Sequence, residues 1–462
     1  MAAARGRGGG RWWIALFLAA AVLTHLPVLR APFFLDDFTQ SSMMDGKYPS
    51  HPRLFDLYDF IDDSNRAALL ERGILPWWAH PHMVVHFMRP LSSALVWLDY
   101  RLFGKSALWD HAHSLAWWAA ASIAVHMFLR RSFSRRVAWL GAACFALSPC
   151  HVVPLAWLAN RSALVSLAFG IGALGSYARW RELRRPLDAL AALILFSLAM
   201  LGGEYGLCFG GYVVAIEAVR RRESLWRRAS GIACFAIPAV AYVAVHAAQH
   251  YGAHGTGFYR DPIRDFSEYA PAVPRGLAVL IASAWLGVDG ASWAASPGWE
   301  VALLGVATVA ALAIPVARTL RGLDAEQRGR AAWMLLGSVL SLAPVLAVEL
   351  SARVLGVSMV GISAIVALVL DRAWFAPAPG PRRGVAELTG LVALILGFVH
   401  IVRAPLDTWL AIRETVGSAT LYNRRIAWVR EHAAGKSAVI VLRADLPQSI
   451  FFLPVMLSGM AP

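Results

Sequence analysis

Two adjacent aspartates, Asp36 and Asp37, lie in the stretch Phe-Phe-Leu-Asp-Asp-Phe at 33–38, just after the first long apolar run. Neighbouring carboxylates repel each other, so at least one of them should have a raised pKa. A carboxylate with a raised pKa can act as a general base towards a hydroxyl group. Because successive residues of a helix point about 100° apart, we expect only one to face a cavity. The alternative is a solvated loop that follows a membrane span.

Three arginines and a glutamate fall at other boundaries of apolar runs: Arg89, Arg161, Glu204 and Arg353. Arginine binds phosphate through paired, charge-assisted hydrogen bonds. Two or three arginines around a carboxylate pair would therefore suit a phosphate leaving group. The alternative for each arginine is snorkelling of a long side chain to the membrane interface.

Histidines are concentrated in the stretch 77–86, which contains His80, His82 and His86 behind a pair of tryptophans. Three histidines in seven residues could bind a metal, but no cysteine or closely spaced carboxylate completes a ligand set. We therefore assign no metal ligand and no certain cofactor, and the sequence leaves a divalent cation open. His151, in Ser-Pro-Cys-His, falls at the same outer face.

The composition points to a polytopic membrane protein. Of 462 residues, 58% are hydrophobic and 16% charged, and the mean hydropathy is +0.54. Soluble domains carry about 25% charged residues, so the composition argues against an ordinary soluble enzyme. The net charge of +14 comes from arginines in short gaps between apolar runs, which indicates membrane topology rather than nucleic-acid binding.

The apolar runs are long enough for about 11 transmembrane helices. They lie at Trp12–Leu29, 107–129, 137–154, 160–178, 187–202, 205–219, 229–249, 300–317, 331–348, 354–370 and 385–402. The shorter run 275–288 is interpreted as re-entrant or interfacial. This choice keeps the Arg-rich loops on one side, which the positive-inside rule assigns to the cytoplasm together with the N-terminus.

The predicted fold is therefore an all-α polytopic protein with a transmembrane domain at 1–402. Its first outer loop, 31–106, should carry interfacial helices at 54–72 and 89–103, whose apolar residues recur at helical spacing. The segment 403–462 is predicted as a small α/β tail outside the cytoplasm, with a helix near 406–433 and strands near 437–443 and 449–457. Sixty residues make a small core, so we expect this tail to dock on the membrane domain.

The order of these features resembles the GT-C membrane glycosyltransferases. Within them it is most similar to the protein O-mannosyltransferase-like group, whose eukaryotic members carry C-terminal tetratricopeptide repeats that are absent here. The resemblance covers roughly 1–402. It rests on the Asp36-Asp37 pair, Arg-Pro-Leu at 89–91, Leu-Phe-Gly at 102–104, Phe-Ala-Leu-Ser-Pro-Cys-His at 145–151, Ala-Trp-Leu-Ala-Asn-Arg at 156–161, Glu204 and Arg-Val-Leu-Gly-Val-Ser at 353–358.

The resemblance implies transfer of a sugar from a polyprenyl-phosphate donor to an acceptor hydroxyl, of a protein or glycan, at the periplasmic or lumenal face. It implies that Asp36 first, and Asp37 second, is the catalytic carboxylate. Arg161, Glu204 and Arg353 would line the donor pocket, and Arg89 would support the first loop. His151 is counted with these residues as a candidate for substrate or phosphate binding. The many arginines and alanines favour a bacterial inner membrane.

Two other interpretations remain. A transporter or flippase of a lipid-linked substrate would also span the membrane many times, but transporters place polar sites near mid-membrane and repeat two halves. Here the polar residues gather at one face, and no repeated halves are evident. A non-catalytic GT-C relative is the third interpretation, because Ser148, Val153, Ala163 and Gly203 replace polar residues of the family pattern.

Overall fold

A computed structural model describes residues 19–50, 54–220, 223–262, 264–288, 290–375 and 383–433. Helices dominate it. In chain order they are α1 (Ala19–Arg30), α2 (Asp36–Met44), α3 (Arg66–Glu71), α4 (Pro90–Phe103), α5 (Ala107–Ser132), α6 (Arg135–Ala146), α7 (Val152–Ala156), α8 (Ser162–Leu183), α9 (Pro186–Gly202), α10 (Gly210–Val219), α11 (Leu225–Ala248), α12 (Phe266–Leu286), α13 (Gly290–Ala294), α14 (Gly298–Arg321), α15 (Ala325–Leu340), α16 (Gly356–Phe375), α17 (Arg383–Gly397) and α18 (Ala404–Ala433).

Helix α16 forms the centre of the bundle. It is buried without a break from Gly356 to Leu370 and packs against α6, α15 and α17. An all-round apolar helix of this kind belongs in the interior of a bundle. Gly361 lies against the backbone of Met334 on α15 and the hydroxyl of Tyr212, so a side chain at 361 would force these helices apart.

The arginine-rich connections meet at one end of the bundle. Arg330 donates to the backbone oxygen of Arg131 at 2.9 Å, and Arg136 pairs with Asp371 at 3.4 Å. Arg181 forms an ion pair with Glu223 at 2.6 Å. These contacts involve five of the arginine-rich connections that the positive-inside rule places on one side of the membrane. We call this end of the bundle the arginine end.

The opposite end carries the first outer loop, and we call it the Asp36 end. Its strands β1 (Asp59–Ile61), β2 (Val84–His86) and β3 (Gly252–His254) form an antiparallel sheet in the order β1-β2-β3. The predicted interfacial helix 89–103 is confirmed as α4, which Pro90 begins. The predicted helix over 54–72 is wrong.

Within 54–72 the structure has β1 and the short α3. Leu57, Tyr58, Phe60 and Leu69 are buried in one local core at this end of the molecule. Tyr58 and Phe60 are two residues apart, which is strand periodicity. Pairing of β1 with β2 overrides the helical spacing that the apolar residues also permit.

Helix α12 is long and apolar enough to cross a membrane, yet the chain turns back after it. Its first turns approach the Asp36 end, where the hydroxyl of Tyr269 bonds to the oxygen of Ala343 at 3.4 Å. After α12, Gly290 packs beside Val279, and Arg275 donates to the oxygen of Ser296 at 2.5 Å. The return segment therefore runs antiparallel to α12, in agreement with the re-entrant prediction for 275–288.

The number of candidate spans agrees with the sequence once α12 is set aside. Among the described residues, eight helices including α12 are long and apolar enough to span, or nine if α6 and the segment Pro149–Ala156, bent by 47°, form one span. Two shorter apolar helices, α1 and α9, and the 204–219 segment complete the eleven predicted runs. The predicted start of the first run at Trp12 lies outside the described residues.

Helix α18 docks against the Asp36 end. Thr408 donates to the oxygen of Leu147 at 3.1 Å, and Asn423 donates to the oxygen of Phe33 at 3.0 Å. Tyr422 and Ile426 pack on Phe38. The predicted helix near 406–433 is confirmed, whereas the predicted strands at 437–443 and 449–457 lie outside the described residues.

The return after α12 can be tested with single cysteines in a chain whose four native cysteines are replaced by alanine. We expect Ser267→Cys and Ala295→Cys, at exposed positions before and after the turn, to react with an impermeant maleimide from the same side of the membrane. Asp63→Cys marks the Asp36 end, and Ala325→Cys marks the arginine end. Labelling of Ala295→Cys from the side of Ala325→Cys would show instead that α12 crosses.

Candidate functional site

The two aspartates occupy the first turn of α2, where a sharp turn follows α1. Leu35 adopts φ 48°, a conformation that costs a residue with a side chain about 1–3 kcal/mol. The turn places both carboxylates at the N-terminal end of α2, where unpaired backbone N–H groups favour negative charge. The strained residue therefore directs the pair away from the apolar helix α1.

Asp37 is committed to the backbone. Its Oδ2 accepts from the N–H of Phe34 at 2.9 Å and its Oδ1 from the N–H of Ala159 at 2.8 Å, and the residue is 4% exposed. Burial raises the pKa of Asp37 to about 8; the two amide donors oppose this shift, and the charge of Asp36 adds to it. Both oxygens are engaged, so this carboxylate positions the site rather than facing a substrate.

Asp36 is the carboxylate that remains available. It is half-buried, and within the described part of the chain its side chain accepts no hydrogen bond. Burial raises the pKa of Asp36 to about 7, and the positive charges of Arg89 and Arg353 limit the rise. A carboxylate of this kind changes protonation near neutral pH, which suits a general base.

Arg89 is held rigidly at the start of α4. Its Nε donates to Oε2 of Glu204 at 2.9 Å, and its guanidinium lies over the rings of Phe87 at 4.3 Å and Tyr58 at 4.9 Å. Neighbouring Ser92 donates to the oxygen of Gly202 at 2.6 Å, which brings α4 to the turn that carries Glu204. The structure therefore joins two predicted site residues, 115 positions apart, in one ion pair.

Arg353 is the freer cation. Its nearest carboxylate oxygen, Oε2 of Glu349, is 3.9 Å away, which is outside hydrogen-bond distance. The guanidinium also lies 5.9 Å from the ring centre of Trp157. The charge of Arg353 acts on Asp36. Arg353 therefore joins Asp36, Arg89 and Glu204 as the fourth predicted residue at this site, and its guanidinium keeps donors that are available for a ligand.

Tyr259 belongs to this site, and the sequence did not single it out. Its ring packs on Phe87 at 5.6 Å, and a bridge between its backbone and Val348 holds it in place. Burial raises the pKa of Tyr259, so its hydroxyl stays protonated as a donor. The signal that could have found it is its place in a polar outer connection, beside the Gly-rich stretch 252–257.

Arg161 lies in a separate buried cluster. Its Nη1 is 2.5 Å from Oδ2 of Asp99, and the two side chains are 3% and 4% exposed. His113 bonds to the other oxygen of Asp99 at 2.7 Å. Asp99 lies on α4, His113 on α5 and Arg161 directly before α8, so the cluster connects these three helices. Arg161 is also two residues from Ala159, whose amide donates to Asp37. Its positive charge is already compensated, which was not expected for a donor-pocket residue.

His151 lies at the break between helices α6 and α7. It is 1% exposed, its Nε2 lies 2.9 Å from the oxygen of Phe145, and its ring packs edge-on to that of Phe145. The structure gives its imidazole a local partner in the core and does not bring it to Asp36.

Around Asp36 the structure gathers an available carboxylate, a fixed cation and a freer cation at one end of a helical bundle. Glu204 contributes a second carboxylate, and its Oε1 is buried without a hydrogen-bond partner among the described residues. Such a set can accept a proton from a hydroxyl and stabilise a phosphate oxygen in the same place.

The bundle and this end-on site define a polytopic α-helical membrane protein. No protein-family model and no curated protein sequence matches the chain; the similarity is to solved structures.

ArnT from Cupriavidus metallidurans, bound to undecaprenyl phosphate, has a TM-score of 0.50 and 13% identity, over 96% of this chain and 85% of ArnT. The Archaeoglobus fulgidus oligosaccharyltransferase in complex with Zn and sulfate has a TM-score of 0.51 and 12% identity. That match covers 96% of this chain and 61% of the oligosaccharyltransferase, so this chain spans less than two thirds of that protein. At these identities the likeness shows the fold.

The Arg161–Asp99 pair gives a stability prediction. Arg161→Met leaves a buried carboxylate without its partner and should lower the free energy of unfolding by about 3–5 kcal/mol. The double variant Arg161→Met/Asp99→Asn should recover most of the loss, and Arg101→Met, at an exposed position of the same α4, should change little. Thermal unfolding in detergent is the measurement. A stable Arg161→Met protein would refute the structural role.

Proposed function

We propose that the chain is an integral-membrane glycosyltransferase that moves a sugar from a polyprenyl-phosphate donor to an acceptor hydroxyl. The observation that carries this proposal is Asp36: a half-buried carboxylate that accepts no hydrogen bond from the described residues and feels the charges of Arg89 and Arg353 at one end of the membrane helices. The GT-C fold supports it, and ArnT, which shares that fold, is bound to undecaprenyl phosphate.

The reaction follows from these positions as a single displacement. An Asp36 oxygen accepts the proton of the acceptor hydroxyl while the hydroxyl oxygen forms a bond to the anomeric carbon. The bond from that carbon to the phosphate oxygen breaks, and the electron pair leaves with the lipid phosphate. Arg353 stabilises the charge that grows on this leaving group, and Tyr259 adds a neutral hydrogen-bond donor.

Asp37 and Glu204 are positioning residues in this proposal. Asp37 fixes the turn that aims Asp36, and Glu204 orients Arg89 so that its remaining donors point in one direction. Arg161 acts further away, since it supports α4 and the segment that donates to Asp37. We place His151 outside the reaction.

The membrane orientation follows from charge. The arginine end faces the cytoplasm by the positive-inside rule, so Asp36 and α18 face the periplasm of a bacterial inner membrane. The acceptors are then hydroxyl groups of proteins or glycans that are exported to that side, as in the O-mannosyltransferase-like group. The lipid-linked donor reaches the site through the membrane. No nucleic acid takes part. The polar site lies at one end of the helices rather than at mid-membrane, which favours an enzyme over a transporter.

The roles of the two aspartates can be separated. With purified protein in lipid and a panel of radiolabelled polyprenyl-phosphate sugars, Asp36→Asn should reduce transfer by about 10²–10⁴-fold and leave thermal stability unchanged. Asp37→Asn should reduce both, because its amide group cannot accept from both N–H groups, a loss of about 1–3 kcal/mol. Asp63→Asn, with an 89% exposed side chain, is the matched control. Full transfer by Asp36→Asn would refute its role as the base.

The pKa of Asp36 predicts the pH dependence of the reaction. The ionised form is the base, so transfer should rise as pH increases through about 7 and level off above it. Arg353 lowers this pKa, so Arg353→Met should move the midpoint to higher pH in addition to weakening donor binding. The ratio kcat/KM measured from pH 5 to pH 9 gives both midpoints. An unchanged midpoint in Arg353→Met would contradict the electrostatic effect of Arg353 on Asp36.

A further inference from the structure

Three side chains with metal-binding atoms meet on the sheet of the first outer loop: Asp56, Asp59 and His86. The structure separates His86 from His80 and His82, with which the sequence grouped it, and places it between two carboxylates. His86 Nε2 lies 3.0 Å from Oδ1 of Asp56, and its Nδ1 lies 3.9 Å from Oδ1 of Asp59. We propose that these three residues bind a divalent transition-metal ion, Zn²⁺ in the first place.

The ligand types and spacing suit this ion. Imidazole nitrogen and carboxylate oxygen both bind Zn²⁺ at about 2.0–2.2 Å, and a tetrahedral site with three protein ligands keeps one position for water. Two such ligands stand roughly 3.3 Å apart around the ion. One ligand atom from each of the three residues lies within 4.8 Å of the others, so small side-chain movements bring them to that spacing.

Charge and burial point to a cation at this place. The side chains of His86, Asp59 and Asp56 are 12%, 15% and 18% exposed, so water shields them only in part. The charges of Asp56 and Asp59 act on His86, and Asp62 adds its field to the same place. Charged groups that are partly buried are stabilised when they are paired or when they bind a metal. His80 and His82 are more exposed and lack this arrangement.

The ion would fasten the strands that hold Arg89. Asp59 lies on β1 and His86 on β2, and His86 also pairs with Gly252 of β3. Tyr58 and Phe87, each next to a proposed ligand, are the two rings that enclose the Arg89 guanidinium. The metal thus belongs to the framework of the site and takes no part in the proton transfer at Asp36.

The test is metal retention by the full chain in lipid nanodiscs, purified with a tag that contains no histidine. After dialysis against a chelator, Zn²⁺ alone is titrated, and bound metal is measured by mass spectrometry. We expect about one Zn²⁺ per chain. Asp56→Asn, Asp59→Asn and His86→Gln should each weaken binding at least about 10-fold, the lower limit found for loss of a supporting residue.

Two controls use the same loop. Asp63→Asn and the double variant His80→Gln/His82→Gln should bind Zn²⁺ like the unmodified chain. Zn²⁺ should raise the thermal unfolding temperature of the unmodified chain and of both controls, and should leave that of the three ligand variants unchanged. This second readout detects a variant that is merely misfolded, because such a protein unfolds early without metal too.

The outcomes separate this proposal from the glycosyltransferase proposal. Asp36→Asn should retain Zn²⁺ in full even though its sugar transfer is reduced by about 10²–10⁴-fold. An unmodified chain that retains no Zn²⁺ at micromolar free metal would overturn the metal site and leave the proposed reaction standing. Equal retention by Asp56→Asn, Asp59→Asn and the unmodified chain would overturn it as well.

Discussion

The candidate site depends on the carboxylate of Asp37, which binds two backbone amides that are far apart in sequence. One amide, from Phe34, closes the turn between α1 and α2, and the other, from Ala159, belongs to the segment between α7 and α8. A hydrogen bond stabilises by about 0.5–1.5 kcal/mol net, and here two converge on one side chain. The strained Leu35 and the orientation of Asp36 are maintained by this side chain.

Charge compensation divides the polar residues at this end into groups with different roles. Arg161 and Asp99 neutralise each other in a buried pair, and Arg89 and Glu204 form a second, partly buried pair. Arg353 and Asp36 have no hydrogen-bonded ionic partner within the described chain. In the proposed reaction, the phosphate and the hydroxyl would therefore meet two groups that need not first be separated from other partners.

The sequence predicted the features that depend on local composition. Length and charge predict the apolar runs, the arginine end, the helix near 406–433 and the re-entrant run at 275–288. The Asp36-Asp37 pair can be read directly from the sequence. The pairing of Arg161 with Asp99, across 62 positions, and the place of Tyr259 beside Phe87 depend on packing between distant elements. The error over 54–72 has the same origin, because β1 exists only through its pairing with β2.

The turn after α12 also determines at which end of the bundle α18 lies. Each complete crossing reverses the direction of the polypeptide, so the number of crossings, odd or even, decides where every later element emerges. With α12 returning, α17 leads towards the Asp36 end, and Asn423 of α18 can reach Phe33. One more crossing would carry α18 to the arginine end, about 30 Å away across the hydrocarbon layer. The turn that carries Asp36 and Asp37 would then lose its contact with α18.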